Sequence, residues 1–308
     1  MSALRVATRG SALALAQSTQ IAERIATALG RETELVVIST TGDQIQDRPL
    51  AKIGGKGLFI KEIEEALLAD RADVAVHSAK DLPARIADGC VLAAFPERAD
   101  PRDALVARDG AMRIASLPEG ARIGTGSIRR SSQLLGARPD LEIVPLRGNV
   151  DTRLRKLEEE GLDAVILACA GLDRLGRGDV ITERISPDAL LPAVAQGTLA
   201  LETRQGDPLA EALAVLEKDD APARTAAERS FLETLEGDCS VPLAAYAELM
   251  PEGDLRVRGL VASPEGARIV RGERTGAAGD AVAVGRALAQ ELLEGGAADL
   301  LAALEPAS

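Results

Sequence analysis

The stretch Leu4-Arg5-Val6-Ala7-Thr8-Arg9-Gly10-Ser11 sets the fold class. Leu4 to Thr8 reads as a short buried strand. The apolar run breaks at Arg9-Gly10-Ser11, and Ser11 is a residue type that caps a helix start. A helical pattern follows, with Leu15, Ile21, Ile25 and Leu29 near one face. Strand, polar turn and helix form the unit of an α/β lobe, and the chain goes on repeating it. Glu34 to Ser39 reads as a second strand. Asp73 to His77 reads as a third, closed by Ser78-Ala79-Lys80-Asp81-Leu82-Pro83. Between them the glycine-rich stretch Ile53-Gly54-Gly55-Lys56-Gly57-Leu58 precedes a helix whose apolar stripe is Ile60, Ile63 and Leu67.

At Phe95-Pro96-Glu97-Arg98-Ala99-Asp100-Pro101 the pattern breaks into charge and proline, which marks a crossing between lobes. The second lobe repeats the logic of the first. Arg122 and Ile123 are expected to end a strand, Gly124-Thr125-Gly126-Ser127 to turn into a helix starting near Ile128, and Asp163 to Ala168 to be a buried strand. Leu199 to Glu202 and a helix over Asp207 to Lys218 are expected to return to the first lobe. From about Asp219 the character changes to a helix (Thr225 to Leu235), a loop (Glu236 to Pro242) and three strands, near Ala244 to Leu249, Leu255 to Ala262 and Ala267 to Glu273. A helical region follows from Asp280. Hairpin connections make this last part a small antiparallel α+β domain. The expected division is residues 1–98 with 197–218, residues 99–196, and residues 219–308.

Composition narrows the function. The 308 residues carry a net charge of -12, which argues against a nucleic-acid binder, since that needs a basic face. A local arginine cluster can still hold an anion. Aromatic residues make up 1% with no Trp, so base-stacking and sugar-stacking surfaces are not expected. No stretch approaches the roughly 20 apolar residues that span a bilayer, and Met1 to Gly10 lacks a secretion signal. Three cysteines without close pairing fit a reducing cytoplasm. A single histidine rules out a histidine-rich metal site.

The candidate chemistry sits at element ends. Thr8-Arg9-Gly10-Ser11 and Gly124-Thr125-Gly126-Ser127-Ile128-Arg129-Arg130 are strand-to-helix turns whose free N–H groups favour anions, and arginine adds planar recognition of carboxylate or phosphate. Simple capping with solvated arginines explains one such turn; two in successive lobes point further, to a ligand. Arg147, Arg153 and Arg174 also lie at element ends. Arg153 opposes the dipole of its own helix, which invites either an anionic ligand or a surface ion pair. Asp81 follows a buried strand, where open α/β sheets bind ligands, or serves as a turn residue and partner of Lys80. His77 reads as a core or near-core histidine. Cys169, expected within an apolar strand, and Cys90 read as structural, whereas Cys239 in Glu236-Gly237-Asp238-Cys239-Ser240-Val241-Pro242 sits in a turn-rich loop suited to an accessible thiol.

Taken together these segments resemble porphobilinogen deaminases along nearly the whole chain. The matching stretches also include Leu50 to Phe59, Asp100-Pro101-Arg102-Asp103-Ala104, Leu146-Arg147-Gly148-Asn149-Val150, Ala170 to Gly176 and Leu191 to Gly197. The resemblance implies two periplasmic-binding-protein-like (type II) lobes plus a small C-terminal α+β domain with a three-stranded antiparallel sheet. It implies a monomeric cytoplasmic transferase of haem and other tetrapyrrole biosynthesis, without metal. A dipyrromethane cofactor would be held by thioether to Cys239. Four porphobilinogen units would add to it in turn, each losing ammonia, before hydrolysis frees hydroxymethylbilane. By the same resemblance Asp81 is the catalytic carboxylate. Arg9, Arg129, Arg130, Arg147, Arg153 and Arg174 pair with acetate and propionate groups, and Ser11, Lys80, Thr125, Ser127 and Gln196 are further contacts. Lys52, Lys56 and Phe59 belong to a mobile lid loop.

Several residues depart from the family's common pattern. Asp238 stands for glycine before the cysteine and Ser240 for glutamine after it. Gly10 stands for a larger polar residue, Ala79 for methionine and Gly126 for serine. Asp238 is expected to raise the neighbouring thiol's pKa by like charge. Two other readings stay open on the residues alone. A two-lobed binding protein for a small carboxylate or phosphate would need the arginines but not Cys239. A cysteine-dependent acyl transferase would need His77 near the thiol.

Overall fold

The computed structural model describes residues 2–44, 60–218, 220–237 and 241–304. Lys52, Lys56, Phe59, Asp238, Cys239 and Ser240 lie outside the described residues. The strands in chain order are β1 (Leu4–Arg9), β2 (Thr33–Ile38), β3 (Val74–Ser78), β4 (Cys90–Ala94), β5 (Asp103–Ala107), β6 (Arg122–Thr125), β7 (Glu142–Pro145), β8 (Ala164–Ala168), β9 (Glu183–Arg184), β10 (Leu199–Arg204), β11 (Leu243–Leu249), β12 (Asp254–Ala262) and β13 (Ile269–Ala277). They form two five-stranded sheets, β2-β1-β3-β10-β4 and β7-β6-β8-β5-β9, and the three-stranded sheet β11-β12-β13.

The two larger sheets share one plan. In the first, β1 pairs in parallel with β2 and β3, while β10 lies antiparallel between β3 and β4. In the second, β6 pairs in parallel with β7 and β8, while β5 lies antiparallel between β8 and β9. Each sheet thus receives one reversed strand in its fourth place, the strand order of type II periplasmic-binding-protein-like lobes. The third sheet is wholly antiparallel.

Alternation along the strands explains why both faces of each large sheet are covered. Val6, Val74 and Val76 point into a cluster with Ile21 and Ile25, and Ala7 and Ala75 into another with Ile63 and Leu67. The first cluster is closed by helix α1 (Ala12–Leu29), which starts where the Ser11 hydroxyl accepts from Ala14 N–H at 3.3 Å. It stops at Gly30, whose φ of 62° is open to glycine at no steric cost. The second cluster is closed by helix α2 (Lys61–Leu68). In the second sheet Leu105, Ile123 and Ile166 meet Leu134 of helix α3 (Ile128–Ala137). Val106, Val165 and Leu167 meet Leu157 of helix α4 (Val150–Glu159) and Leu172 of the short helix α5 (Cys169–Arg174). In the C-terminal part, helix α6 (Ala221–Thr234) carries Phe231, which is fully buried, and helix α7 (Ala281–Leu292) packs on β12 and β13.

The described residues form two compact units, Met1–Ala99 with Gly197–Pro222 and Asp100–Gln196 with Ala223–Ser308. The first holds the first sheet, β10 included; the second holds the other two.

Three local expectations need correction. Arg122 and Ile123 begin β6 rather than end a strand, because the strand continues through Gly124 and Thr125. Cys169 is the first residue of α5, not part of a strand. The expected helix over Asp207 to Lys218 is a five-residue helix, Leu209–Leu213, followed by a 3-10 turn at Ala214–Leu216. β4, β5, β7 and β9 had no counterpart in the sequence reading; β7 and β9 are too short, at four and two residues, to show alternation.

Candidate functional site

Parallel pairing decides where the polar turns go. β1 and β3 are parallel neighbours, so Thr8-Arg9-Gly10-Ser11 and Ser78-Ala79-Lys80-Asp81 leave the same end of the first sheet. In the second sheet Gly126-Ser127, Leu146 to Asn149 and α5 follow the carboxyl ends of β6, β7 and β8. Antiparallel β5 brings Asp103 opposite Ala168 at that same end. Every candidate residue described in each unit therefore sits at one end of its sheet, where open α/β sheets bind ligands.

In the first unit Asp81 ends a 3-10 turn, Ala79–Asp81. The backbone closes this turn by itself: Ala79 N–H donates to Thr198 C=O at 3.0 Å and Leu82 N–H to Ala79 C=O at 3.3 Å. The Asp81 side chain is exposed, and it makes no hydrogen bond or ion pair among the described residues. It is thus not the ion partner of Lys80. Lys80 and Arg9 are half-buried and both hold partners. Ser11 is committed to its helix cap.

In the second unit the two arginines at the start of α3 are not open to solvent. Arg129 and Arg130 are each 5% exposed, and both converge on Asp103, which is 0% exposed. Arg129 Nη1 donates to Asp103 Oδ2 at 2.7 Å and to Leu191 C=O at 2.8 Å. Arg130 Nε and Nη2 donate to Asp103 Oδ1 at 3.0 and 2.7 Å, and its Nη1 donates to Ile166 C=O at 2.9 Å. Gln196 adds its amide to Asp103 Oδ1 at 3.0 Å and to Pro101 C=O at 2.8 Å. Burial alone would push the Asp103 carboxyl up. The charges of Arg129 and Arg130 outweigh it and hold the group far below the ordinary carboxylate range. Sequence reasoning treated these arginines as carboxylate receptors and passed over Asp103. The available signal was an acid at the head of the apolar run Ala104-Leu105-Val106-Ala107, a place where a carboxylate needs cationic partners.

What α3 leaves available is its N-terminus. Ser127 occupies the cap position, but its hydroxyl makes no capping bond. Ser127 N–H donates to the buried Thr125 hydroxyl at 3.2 Å. Arg147 is half-buried and makes no hydrogen bond or ion pair among the described residues. Arg153 and Arg174 are half-buried and hold partners. Arg153 follows Asn149, which caps α4 by accepting from Thr152 N–H at 2.9 Å. The cap and the first-turn Asp151 offset the dipole that Arg153 opposes.

Gly126 has a steric reason. A Cβ there would lie 2.5 Å from the Leu146 carbonyl oxygen, a backbone atom that cannot swing aside. Gly126→Ser is expected to lower stability by about 1–3 kcal/mol, the usual cost of overpacking. A thermal melt that leaves the midpoint unchanged would contradict this.

The remaining cysteines are inert. Cys90 and Cys169 are buried and unpaired. Burial first and neighbouring carboxylates second push each thiol up to about 12. Among the described residues no group of His, Cys, Asp and Glu could hold a metal ion, and no helix is long and apolar enough to cross a membrane.

Two family profiles cover most of the chain. One, described as "Porphobilinogen deaminase, dipyromethane cofactor binding domain", matches residues 4–212, and the second, "Porphobilinogen deaminase, C-terminal domain", matches residues 223–294. The chain belongs to the porphobilinogen deaminase family. Porphobilinogen deaminases of Syntrophus aciditrophicus and Roseiflexus castenholzii are each 52% identical to it, over 98% and 97% of this chain and 99% and 98% of their own. That of Brevibacillus brevis is 47% identical over 97% of this chain and 96% of its own. Among solved structures, a periplasmic substrate-binding protein of an ABC transporter from Coxiella burnetii aligns with a TM-score of 0.43 at 14% identity, covering 71% of this chain and 93% of that one. As a member of the porphobilinogen deaminase family the chain is an enzyme, a transferase of tetrapyrrole biosynthesis that works with a dipyrromethane cofactor.

Proposed function

We propose that this chain assembles hydroxymethylbilane by adding four porphobilinogen units in turn to a dipyrromethane primer carried on Cys239. The observation that carries the proposal is the family match on both sides of residue 219, which spans both the turns with the candidate residues and the cysteine loop. The residues fit such a group. Each pyrrole bears an acetate and a propionate, and α3 offers an N-terminus not capped by its own serine beside Arg147, a guanidinium without a partner among the described residues. When bound, the primer supplies the free pyrrole position at which each unit is added.

The protein's own groups divide the work. Arg147 and the backbone N–H groups following Ser127 hold carboxylates, with Thr125, Arg9, Arg153, Arg174, Lys80 and Ser11 as further contacts. Arg129, Arg130 and Gln196 act differently from the expectation. Through Asp103 they fix the start of α3, and only the guanidinium N–H groups left over are available to a ligand. Asp81 opposes the positive charge that develops on porphobilinogen as ammonia departs, and it can take up or return a proton at its carboxylate oxygens. Lys52, Lys56 and Phe59 are assigned to a lid. The chain is divided into three domains, 1–98 with 197–218, 99–196 and 219–308. The enzyme is placed in the cytoplasm as a monomer, acting on porphobilinogen without metal, nucleic acid or membrane.

Intact-mass measurement tests the primer. Wild-type protein purified in active form is expected to run heavier than its sequence by two pyrrole units, and Cys239→Ser to show the bare polypeptide mass. Active protein of unmodified mass would refute the primer on Cys239.

A further inference from the structure

A second buried polar cluster lies in the first unit, away from the arginines. His77, the single histidine of the chain, is the last residue but one of β3, and its Nε2 lies 2.8 Å from Glu202 Oε2 on β10. The side chains are 4% and 0% exposed. Two more groups crowd the pair. Glu64 of α2 accepts from Ala87 N–H at 2.8 Å. Burial raises its carboxyl and the Glu202 charge adds to this, while Ala87 N–H and His77 oppose them. The Cys90 thiol of β4 feels both carboxylates. The apolar residues around them are Ile63, Leu67 and Ala75.

Such a cluster is a poor way to gain stability, because a buried ion pair replaced by apolar residues of similar volume often leaves a protein as stable or more so. Its location suggests what it does. The β10–β4 ladder shifts register between Leu201 and Glu202, where β4 passes from Ala94 to Leu92 and leaves Ala93 unpaired. Against β3 the register is regular, with Ala200 opposite His77 and Glu202 opposite Ala75, so Glu202 stands diagonal to His77 on the same face and meets β3 one residue before the strand ends. Two residues beyond His77, Ala79 N–H donates to Thr198 C=O at the start of β10. The turn carrying Lys80 and Asp81 therefore leaves β3 between two anchors on β10, one from a side chain and one from the backbone. A one-residue slip between these strands would turn every side chain to the opposite face.

We propose that His77 and Glu202 are positioning residues for the reaction: their buried contact fixes β3 against β10 and so sets where the Asp81 carboxylate stands. This rests on the reading of Asp81 as the carboxylate that opposes the developing charge. Neither residue touches substrate under this proposal. Porphobilinogen binding and primer attachment should therefore be insensitive to them, while turnover should not.

The test compares wild type with the double variant His77→Leu/Glu202→Leu, each scored for thermal midpoint, primer mass, KM for porphobilinogen and kcat. The double variant is expected to keep its midpoint and its primer, to hold KM within about twofold, and to lose at least tenfold in kcat. A folded, primer-loaded double variant with wild-type kcat would overturn the proposal. If it does not fold, His77→Gln and His77→Asn replace it. Glutamine places an amide near the position of Nε2 and is expected to retain most of kcat. Asparagine places it near Nδ1, away from Glu202, and is expected to lose at least tenfold at unchanged KM. Equal kcat for the two would equally overturn it. Asp81→Asn is assayed alongside. Full turnover by that variant would sink the reading of Asp81, whereas its loss of turnover together with an unaffected double variant would sink the positioning role alone.

Discussion

Asp103→Ala is expected to lower the free energy of unfolding by about 3–5 kcal/mol, the scale seen when one partner of a buried ion pair is removed and a charge is left uncompensated. The thermal midpoint should fall by on the order of 10 °C. Two guanidinium groups, each 5% exposed, lose their shared carboxylate at once. Burial already pulls Arg129 below its ordinary value and Asp103 is the main opposing influence, but arginine does not shed its proton at accessible pH. The variant must therefore bury unpaired charge or open the start of α3 to water. Asp103→Asn keeps the size of the side chain and one acceptor, so it should fall between alanine and wild type. A pH series checks the origin of the effect. The folded-state pKa of Asp103 is depressed, so its stabilisation is complete above the ordinary carboxylate value of about 3.9 and is lost as the pH falls from there toward the folded-state value. Wild type should lose stability steeply in that acid range, and Asp103→Asn should lose less. A melt of Asp103→Ala within a degree or two of wild type would mean that the three side chains do not form the two ion pairs described.

The division between what the sequence disclosed and what it withheld follows from range. Strand-turn-helix patterning is local, and it located β1, β2, β3, β8 and the three C-terminal strands to within a few residues, as well as the Ser11 cap. Strand direction is not local. Whether the run Ala104 to Ala107 lies parallel or antiparallel depends on where the chain returns from, and that direction places Asp103 beside Ala168 at the carboxyl end of β8. Composition gave arginines at element ends, but a guanidinium looks the same in sequence whether it awaits a ligand or is already held. Arg147 and Arg129 both precede or open a helix, yet Arg129 is spent on Asp103 and Leu191. The Asp100-Pro101-Arg102-Asp103 stretch carried the family resemblance without disclosing which of its acids is buried. His77 was legible as a core histidine from the apolar strand it belongs to. Its partner, 125 residues later, was not.

Asp81→Asn is expected to reduce turnover by on the order of 10²–10³-fold, the effect of removing one preorganised group aimed at developing charge. The substitution isolates charge with little else disturbed. The turn is closed by the backbone bonds of Ala79 and Leu82, and the side chain is exposed without a partner among the described residues, so the fold should not depend on it. An unchanged thermal midpoint, an unchanged KM within a few-fold and a retained primer mass are the expected companions of the lost rate. Asp81→Glu separates charge from placement. It keeps the carboxylate but moves it by about one bond, and a misplacement of roughly 1 Å can cost about 10²-fold. Recovery of full activity by glutamate would show that a negative charge anywhere near the turn suffices. A loss shared by asparagine and glutamate, with ammonia release and chain growth slowed together, is what a carboxylate fixed opposite the departing ammonia requires. If Asp81→Asn turned over within tenfold of wild type, the cation would have to be stabilised by something other than this carboxylate, and the arrangement of β3 and β10 around it would have no catalytic purpose.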